Sequence, residues 1–224
     1  MGPLPEETLK RLAEFDTPTI CNAVEDLETR DPTEGYMGLD VKCMFPELGR
    51  MVGYAVTATG RSTVPGKPPK GDGFAQWYEL VEESPRPAVL VLKDVGHDRH
   101  RSCHFGDVMG TVSVKLGALG LVTDGGVRDI ETVKEMGFRY FAAGAVPAHG
   151  YPEIVSAGLD VTISGAQVRT GDLIHADENG VCVFPPEIAD RVIARAEEVL
   201  EIEEKRRATI TTPGFKAADL RNLS

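Results

Sequence analysis

The sequence predicts a layered α/β domain, and three features of its hydrophobic pattern carry that reading. Short, continuous apolar runs suited to buried strands, such as Ala88-Val89-Leu90-Val91-Leu92, alternate through the middle of the chain with stretches of helical periodicity. From about Asp160 to Phe184, short β segments alternate with turns at Gly165, Gly171 and Asn179-Gly180. A long charged helix, opened by Pro185-Pro186, then runs to about Arg207. Strand–helix alternation followed by a β-rich third and a last helix fits layers of helix and sheet around one core. At 224 residues, one domain spanning 1–224 is the expectation.

The elements follow in order. Residues 6–15 read as a short amphipathic helix. Thr17-Pro18 reads as an N-cap with proline at the first helical position, opening a second helix to about Leu27. Residues 30–50, with Pro32, Gly35, Gly38, Pro46 and Gly49, are expected to be irregular, and 51–59 to be a strand. The Gly60–Gly73 stretch reads as a loop. It is no phosphate loop, because five residues intervene between Gly60 and Gly66 where the motif has four, and Lys67 precedes proline. Helices are expected over 74–83, over 106–116 with Val108, Val112 and Leu116, joined by Met109, on one face, and over 129–136, ended by Gly137. Buried strands are expected at 87–93, 119–122 and 138–142, and the tail after Pro213 should be loose or form an arm.

Composition narrows the function. Apolar residues make up 42% and charged residues 26%, as in soluble globular proteins, and the formal charge of −11 disfavours a nucleic-acid partner. Cys21, Cys43, Cys103 and Cys182 form no C-x-x-C pair, which points to reduced thiols in a cytoplasmic protein. The N-terminus has no signal-peptide pattern, and no apolar run approaches the ~20 residues needed to span a bilayer.

The chemistry-bearing segment is Gly106-Asp107-Val108-Met109-Gly110 followed by Thr123-Asp124-Gly125-Gly126-Val127-Arg128-Asp129. Gly106-Asp107 begins one predicted helix and Arg128-Asp129 the next, with a strand between, so two helix N-termini can face one crevice. Their free N–H groups suit a carboxylate, and Arg128 can clamp it in bidentate fashion. Asp107 and Asp129 offer hard oxygen donors for Mg²⁺ or Mn²⁺, cations that retain waters and let substrate complete the shell. Read structurally instead, Asp107 and Asp129 could cap their helices, and Asp124-Gly125-Gly126 could be a plain turn.

Asp107, twenty intervening residues and then Arg128-Asp129 give the pattern D-x20-R-D. It resembles the signature of the class II pyruvate aldolases typified by 4-hydroxy-4-methyl-2-oxoglutarate aldolase, which share a superfamily with the regulator of ribonuclease E activity A, the RraA-like proteins. The text around it, Gly117 to Asp124 and then Gly144-Ala145-Val146-Pro147, is similar too, and the likeness extends from about Asp16 to Arg207. The resemblance implies an α/β/β/α sandwich of the swivelling-domain type, assembled as a homotrimer or homohexamer. It implies a lyase that cleaves a C–C bond of a small 2-oxo acid through a pyruvate enolate, by retro-aldol cleavage or by oxaloacetate decarboxylation. Asp129 would hold the metal, Asp107 would contact its water, and Arg128 with the backbone of Gly106, Asp107, Val108 and Met109 would bind the pyruvate carboxylate. A glutamate from a neighbouring subunit's C-terminal helix would also reach the metal waters; Glu204 is the candidate, with Glu203 next. The chain departs from the pattern at Cys21-Asn22, where the family often has Ser-Asp, and in the Gly60–Gly73 and His97–His104 segments.

Other readings stay open. A non-catalytic ribonuclease-binding regulator needs surface complementarity and no metal, and a lyase for a larger sugar-derived acid is a third possibility. His97, His100 and His104 read as part of a polar loop in preference to a zinc site. Arg99 or Arg101 could face the distal end of an anionic substrate. His149 and His175 read as structural, and Trp77 and Tyr78 as core or subunit contacts.

Overall fold

A computed structural model describes residues 2–63 and 71–222. The chain opens with α1 (Glu6–Leu12) and α2 (Thr17–Asp26). The cap of α2 is Asp16, whose carboxylate accepts from Thr19 N at 2.8 Å, so Thr17-Pro18 are its first two helical residues and not its cap. The irregular stretch that follows holds only β1 (Lys42–Cys43) and a 3-10 turn over Pro46–Leu48. Next come β2 (Met51–Arg61), α3 (Gly73–Glu83), β3 (Ala88–Asp94), β4 (Cys103–Phe105), α4 (Asp107–Lys115), β5 (Ala118–Thr123), β6 (Gly126–Val127) and α5 (Ile130–Glu135). The chain continues through β7 (Arg139–Ala142), β8 (Gly144–Ala145), β9 (Glu153–Ala157), β10 (Val161–Ile163), β11 (Ala166–Val168), β12 (Leu173–Asp177) and β13 (Gly180–Phe184). It ends in α6 (Ala189–Ile210) and a 3-10 helix over Ala217–Asn222, where the sequence reading expects a loose tail. Residues 64–70 of the Gly60–Gly73 loop lie outside the described residues; Gly60 itself belongs to β2.

One large sheet runs β1-β7-β5-β3-β2-β12-β13, with β9 also paired to β2. The β2–β3–β5–β7 portion is parallel, while β12 and β13 join antiparallel. The two portions lie face to face. Val89, Val91, Val122 and Phe141 pack within one core against Ile174, Ala176, Val181 and Val183, joined there by the β10–β11 hairpin. Helices cover both outer faces. Trp77 and Val81 of α3 and Val133 of α5 pack on Leu90, Leu92 and Leu121. Leu12 of α1, Ile20 and Val24 of α2 and Val192 of α6 pack on Tyr54, Leu173 and Phe184. The result is the expected α/β/β/α layering.

β2 serves all three cores. Met51 and Ala55 point inward, Val52 and Tyr54 meet the α1/α2/α6 layer, and Val56 and Ala58 meet the α3/α5 layer. Trp77 is a core residue, fully buried, with its indole N–H donated to Val56 O at 3.1 Å. Tyr78 is core too; its hydroxyl meets Met109 O at 3.2 Å, and burial pushes its pKa up to about 12.

α4 departs from expectation. Val108 is 69% and Val112 37% exposed, while Gly110 and Ser113 are buried and only Met109 and Leu116 of the apolar set pack on the core. The cause is close helix packing: a Cβ at Gly110 would already touch Met136 Sδ and Val133 Cγ2 at 3.6 Å. α4 therefore turns Gly110 toward α5 and leaves Val108 and Val112 outside.

His175 is structural, as expected, and it carries a pH signature. Its ring lies between Leu12 O, 3.1 Å from Nε2, and Thr17 Oγ1, 3.0 Å from Nδ1. The carbonyl can only accept, so Nε2 carries the proton and Nδ1 accepts from the hydroxyl. Burial depresses the pKa of this imidazole from 6.5 to about 4; Asp177 and Asp16 oppose the effect and Arg50 adds to it. The unfolded chain thus binds a proton below pH 6.5 that the folded chain refuses until about pH 4. This stabilisation is full above pH 6.5 and lost as pH falls toward 4, about 3 kcal/mol in all. Urea midpoints measured across that window should drop for the wild type, and the drop should flatten in His175→Gln.

Candidate active site

The carboxyl ends of the parallel strands position the site. Beyond β3 and β5 the chain builds a second, small parallel sheet, β4-β6-β8, which the sequence reading missed because strands of two or three residues show no periodicity. β4 leads directly into Gly106 and Asp107 at the start of α4. β6 leads into Arg128 and Asp129 at the start of α5. Strand pairing at Phe105↔Val127 holds the two exits side by side, and Arg128 N donates to Phe105 O at 2.9 Å.

The link between β5 and β6 is no plain turn. Asp124 is 1% exposed; it accepts from Asp94 N at 2.9 Å and from Lys93 Nζ. A Cβ at Gly125 would lie 3.1 Å from His104 Cδ2, and one at Gly126 would overlap Ser102 O. Close approach thus demands glycine at 126 and leaves little room for a side chain at 125.

Asp129 does not cap α5 with its side chain. Its backbone is left-handed, at φ 57°, and its carboxylate turns toward the neighbouring helix. There Oδ2 accepts from Asp107 N at 3.0 Å and lies 3.3 Å from Arg128 Nε. A β-carbon on Gly106 would overlap that oxygen and lie 2.9 Å from Arg128 Nε, so only glycine allows this approach. Tyr140, fully buried between Phe45, Phe105 and Phe138, donates to Arg128 O at 3.4 Å from beneath. Burial, then the charge of Asp129, pushes its phenol pKa well up, so the hydroxyl remains a donor.

The structure therefore brings Gly106, Asp107, Arg128 and Asp129 together at two adjacent helix starts. It also alters the expected anion cradle. Asp107 N is engaged by Asp129, and Val108 N is engaged by Asp107 Oδ1 at 2.7 Å. Among the described residues, Met109 N is the amide of that first turn left without a protein acceptor. Arg128 and Asp129 keep about a third of their side-chain surface exposed. Glu204 is exposed on α6, in the helical layer packed with α1 and α2, and Glu203 pairs with Arg207 at 3.0 Å; neither joins the site of its own chain.

The donor set fits a hard divalent cation in part. Asp129 Oδ1 and Asp107 Oδ2 have no protein partner among the described residues, which leaves one uncommitted oxygen on each carboxylate. No three His, Cys, Asp or Glu side chains gather among the described residues, so a cation here would need water, substrate or another subunit to complete its shell. The histidines of the 97–104 segment do not assemble. His97 and His100 are exposed, whereas His104 is buried with Nε2 2.6 Å from Asp94 Oδ2 and 2.8 Å from Ser102 Oγ. Burial pushes the Asp94 carboxyl up, but hydrogen bonds from His104 and Ser102 outweigh it and hold the pKa below the ordinary value. This buried Asp94–His104–Ser102 chain had no signal in the sequence beyond residue type.

Comparison with known families decides what this arrangement belongs to. The RraA-like family model, described as Aldolase/RraA, matches residues 17–183. The chain belongs to the RraA-like family. The matched stretch contains every element of the RraA-like site described above. An uncharacterized protein of Methanocaldococcus jannaschii is 31% identical over 153 residues, covering 67% of this chain and 72% of that one. A protein of Halalkalibacterium halodurans, named as a candidate 4-hydroxy-4-methyl-2-oxoglutarate aldolase, is 30% identical over 142 residues, covering 63% of this chain and 66% of its own length. Protein DlpA of Legionella pneumophila is 25% identical over 146 residues, which span only 23% of that protein. Among solved structures, an uncharacterized protein from Pseudomonas syringae superposes with a TM-score of 0.76 at 23% identity, over 100% of this chain and 96% of that one. Streptomyces coelicolor RraAS2, described as an unusual member of the RNase ES inhibitor RraA protein family, does so at 0.74 and 22%, over 92% and 98%. These superpositions establish the RraA fold. No helix of the described residues is long and apolar enough to cross a membrane.

Proposed function

We propose that this RraA-like chain is a divalent-metal-dependent lyase that cleaves a C–C bond of a small 2-oxo acid and releases pyruvate by way of its enolate. The observation that carries the reading is the convergence of Arg128 with two carboxylates that each keep one oxygen uncommitted. A surface used only for protein binding has no need of that geometry. The names of relatives such as the H. halodurans protein support the same reading.

Asp129 would hold Mg²⁺ or Mn²⁺ through Oδ1, with Asp107 on its waters, and the bound cation would supply Lewis acidity at the substrate's keto oxygen. The chain's own residues do the rest. Arg128 pairs with the substrate carboxylate and stabilises negative charge as it develops on the adjacent oxygen. Asp107 orients a water that takes the proton of the substrate's 4-hydroxyl. The C–C bond then breaks, its electron pair passes to the keto oxygen, and the enolate is protonated on carbon to give pyruvate. Decarboxylation of oxaloacetate reaches the same enolate without a hydroxyl proton to remove. A glutamate of a second copy, Glu204 first, would complete the site in a trimer or hexamer.

The test is pyruvate release from oxaloacetate and from 4-hydroxy-4-methyl-2-oxoglutarate, with Mg²⁺ or Mn²⁺ and then with EDTA, after subtraction of the metal-only rate. Metal-dependent release is expected. No release from either acid by folded, metal-loaded protein would shift the assignment to a larger sugar-derived acid or to a non-catalytic regulator of a ribonuclease.

A further inference from the structure

All four cysteines are free thiols, and two of them meet. Cys21 of α2 is half-buried and packs against the core that holds Cys182 of β13, itself fully buried. Each thiol lies within hydrogen-bonding reach of the other. A cation is held beside them. Arg30 donates to Val183 O and, at 3.3 Å, to Gly35 O, and its Nη2 lies 3.8 Å from Cys182 Sγ. A Cβ at Gly35 would overlap that guanidinium, so the chain makes room for it with glycine. Among the described residues, Arg30 hydrogen-bonds to carbonyls and sulfur and to no carboxylate.

The two thiols differ in access and in charge. Cys21 and Arg30 line a cavity of about 310 Å³, whereas Cys182 lies behind that wall. Glu25, Asp31 and Glu34 line the same cavity, which favours a small neutral reagent over an anionic one. Contact with Cys182 lowers the pKa of the Cys21 thiol; the charge of Arg30 adds to this, while burial, Asp177 and Glu25 oppose it. Contact with Cys21, then burial, raises the pKa of Cys182, so the proton stays there. The thiolate is the reactive form, which makes Cys21 the nucleophile and Cys182 the thiol that resolves it.

We propose that Cys21 and Cys182 form a peroxide-reactive thiol pair that closes to a disulfide tying α2 to β13. The Cys21 thiolate attacks one oxygen of hydrogen peroxide, the O–O bond breaks, and the second oxygen leaves as water, which gives a sulfenic acid. Cys182 sulfur then displaces that hydroxyl: the S–S bond forms, the S–O bond breaks, and the thiol proton leaves in a second water. Two thiols are oxidised by two electrons and one peroxide is reduced. The pair lies in the α1/α2/α6 layer, whereas Arg128 and Asp129 open α5 in the opposite layer, so its oxidation does not depend on the lyase chemistry.

The experiment treats the intact, reduced protein with hydrogen peroxide, blocks the remaining thiols with iodoacetamide and maps tryptic peptides by mass. Cleavage after Arg11, Arg30, Arg169 and Arg191 places Cys21 in peptide 12–30 and Cys182 in peptide 170–191, apart from Cys43 and Cys103. Those two peptides should become cross-linked, and dithiothreitol should release them. Cys43 is the internal control, since it too is half-buried but burial raises its pKa. Before oxidation, iodoacetamide should label Cys21 about 10-fold faster than Cys43. Cys182→Ala should halt at the sulfenic acid of Cys21, trapped by dimedone, and Arg30→Gln should slow the labelling of Cys21 about 3-fold. Wild-type peptides left unlinked by peroxide, sulfinic acid at Cys21 in place of the link, or labelling of Cys21 no faster than of Cys43 would each overturn the proposal, whether or not the variants fold.

Discussion

Asp129→Gly should lower pyruvate release by about 10³-fold, the scale of losing a main electrostatic group of an active site, while the protein stays folded. The two effects separate because of the backbone. Asp129 sits at φ 57°, where a β-carbon costs roughly 1–2 kcal/mol, and glycine removes that strain. The same substitution deletes the acceptor for Asp107 N, a loss of about 1 kcal/mol, so the two contributions nearly cancel. Thermal melts should therefore agree within a few degrees while the rate collapses. Arg128→Ala should lose turnover to a comparable degree, since it removes the only cation in contact with Asp129 Oδ2 among the described residues. Asp129→Gly protein that is fully active would remove Asp129 from any metal-holding role.

The second large effect is expected at Gly106→Ala, about 10²-fold in turnover from displaced groups alone. Gly106 has φ −147° and ψ −163°, extended backbone that alanine adopts freely, so no conformational strain follows. The added methyl instead meets Asp129 Oδ2 and Arg128 Nε, the far ends of two side chains that can swing toward solvent. The fold should tolerate the change, with denaturant midpoints close to wild type, while the carboxylate–guanidinium pair is pushed apart. Steady-state rates beside urea melts would check it; wild-type turnover would mean that the close pairing of Asp129 with Arg128 is not the working arrangement.

Much of this was legible in the residues, and the rest had physical reasons for staying hidden. The parallel strands announced themselves as continuous apolar runs, and the α6 start as Pro185-Pro186. The D-x20-R-D spacing placed Asp107, Arg128 and Asp129 on two helix starts, which the structure sets side by side. The small β4-β6-β8 sheet was out of reach, because its strands are too short to show alternation and form through pairing between distant residues such as Cys103↔Gly126 and Val127↔Ala145. The outward valines of α4 were misread because periodicity counts apolar residues, whereas close contact with α5 selects a small one, Gly110. The αL conformation of Asp129 carries no mark in residue type beyond the tolerance of aspartate for it. The engagement of Asp107 N and Val108 N by carboxylates of the site itself depends on side-chain placement that spacing cannot express.

The shared strand β2 has a mechanical consequence. Met51 and Ala55 seal the inner core, while Val52 and Tyr54 are gripped by the α1/α2/α6 layer and Val56 and Ala58 by the α3/α5 layer. The two helical layers are thus bolted to opposite ends of one plank of eleven residues. β3 aligns residue for residue with β2 from Tyr54↔Ala88 to Gly60↔Asp94, so the same plank also seats the strand that ends at Asp94. A substitution that loosens the α6 layer should therefore also unsettle the strand on which the α3/α5 layer is packed.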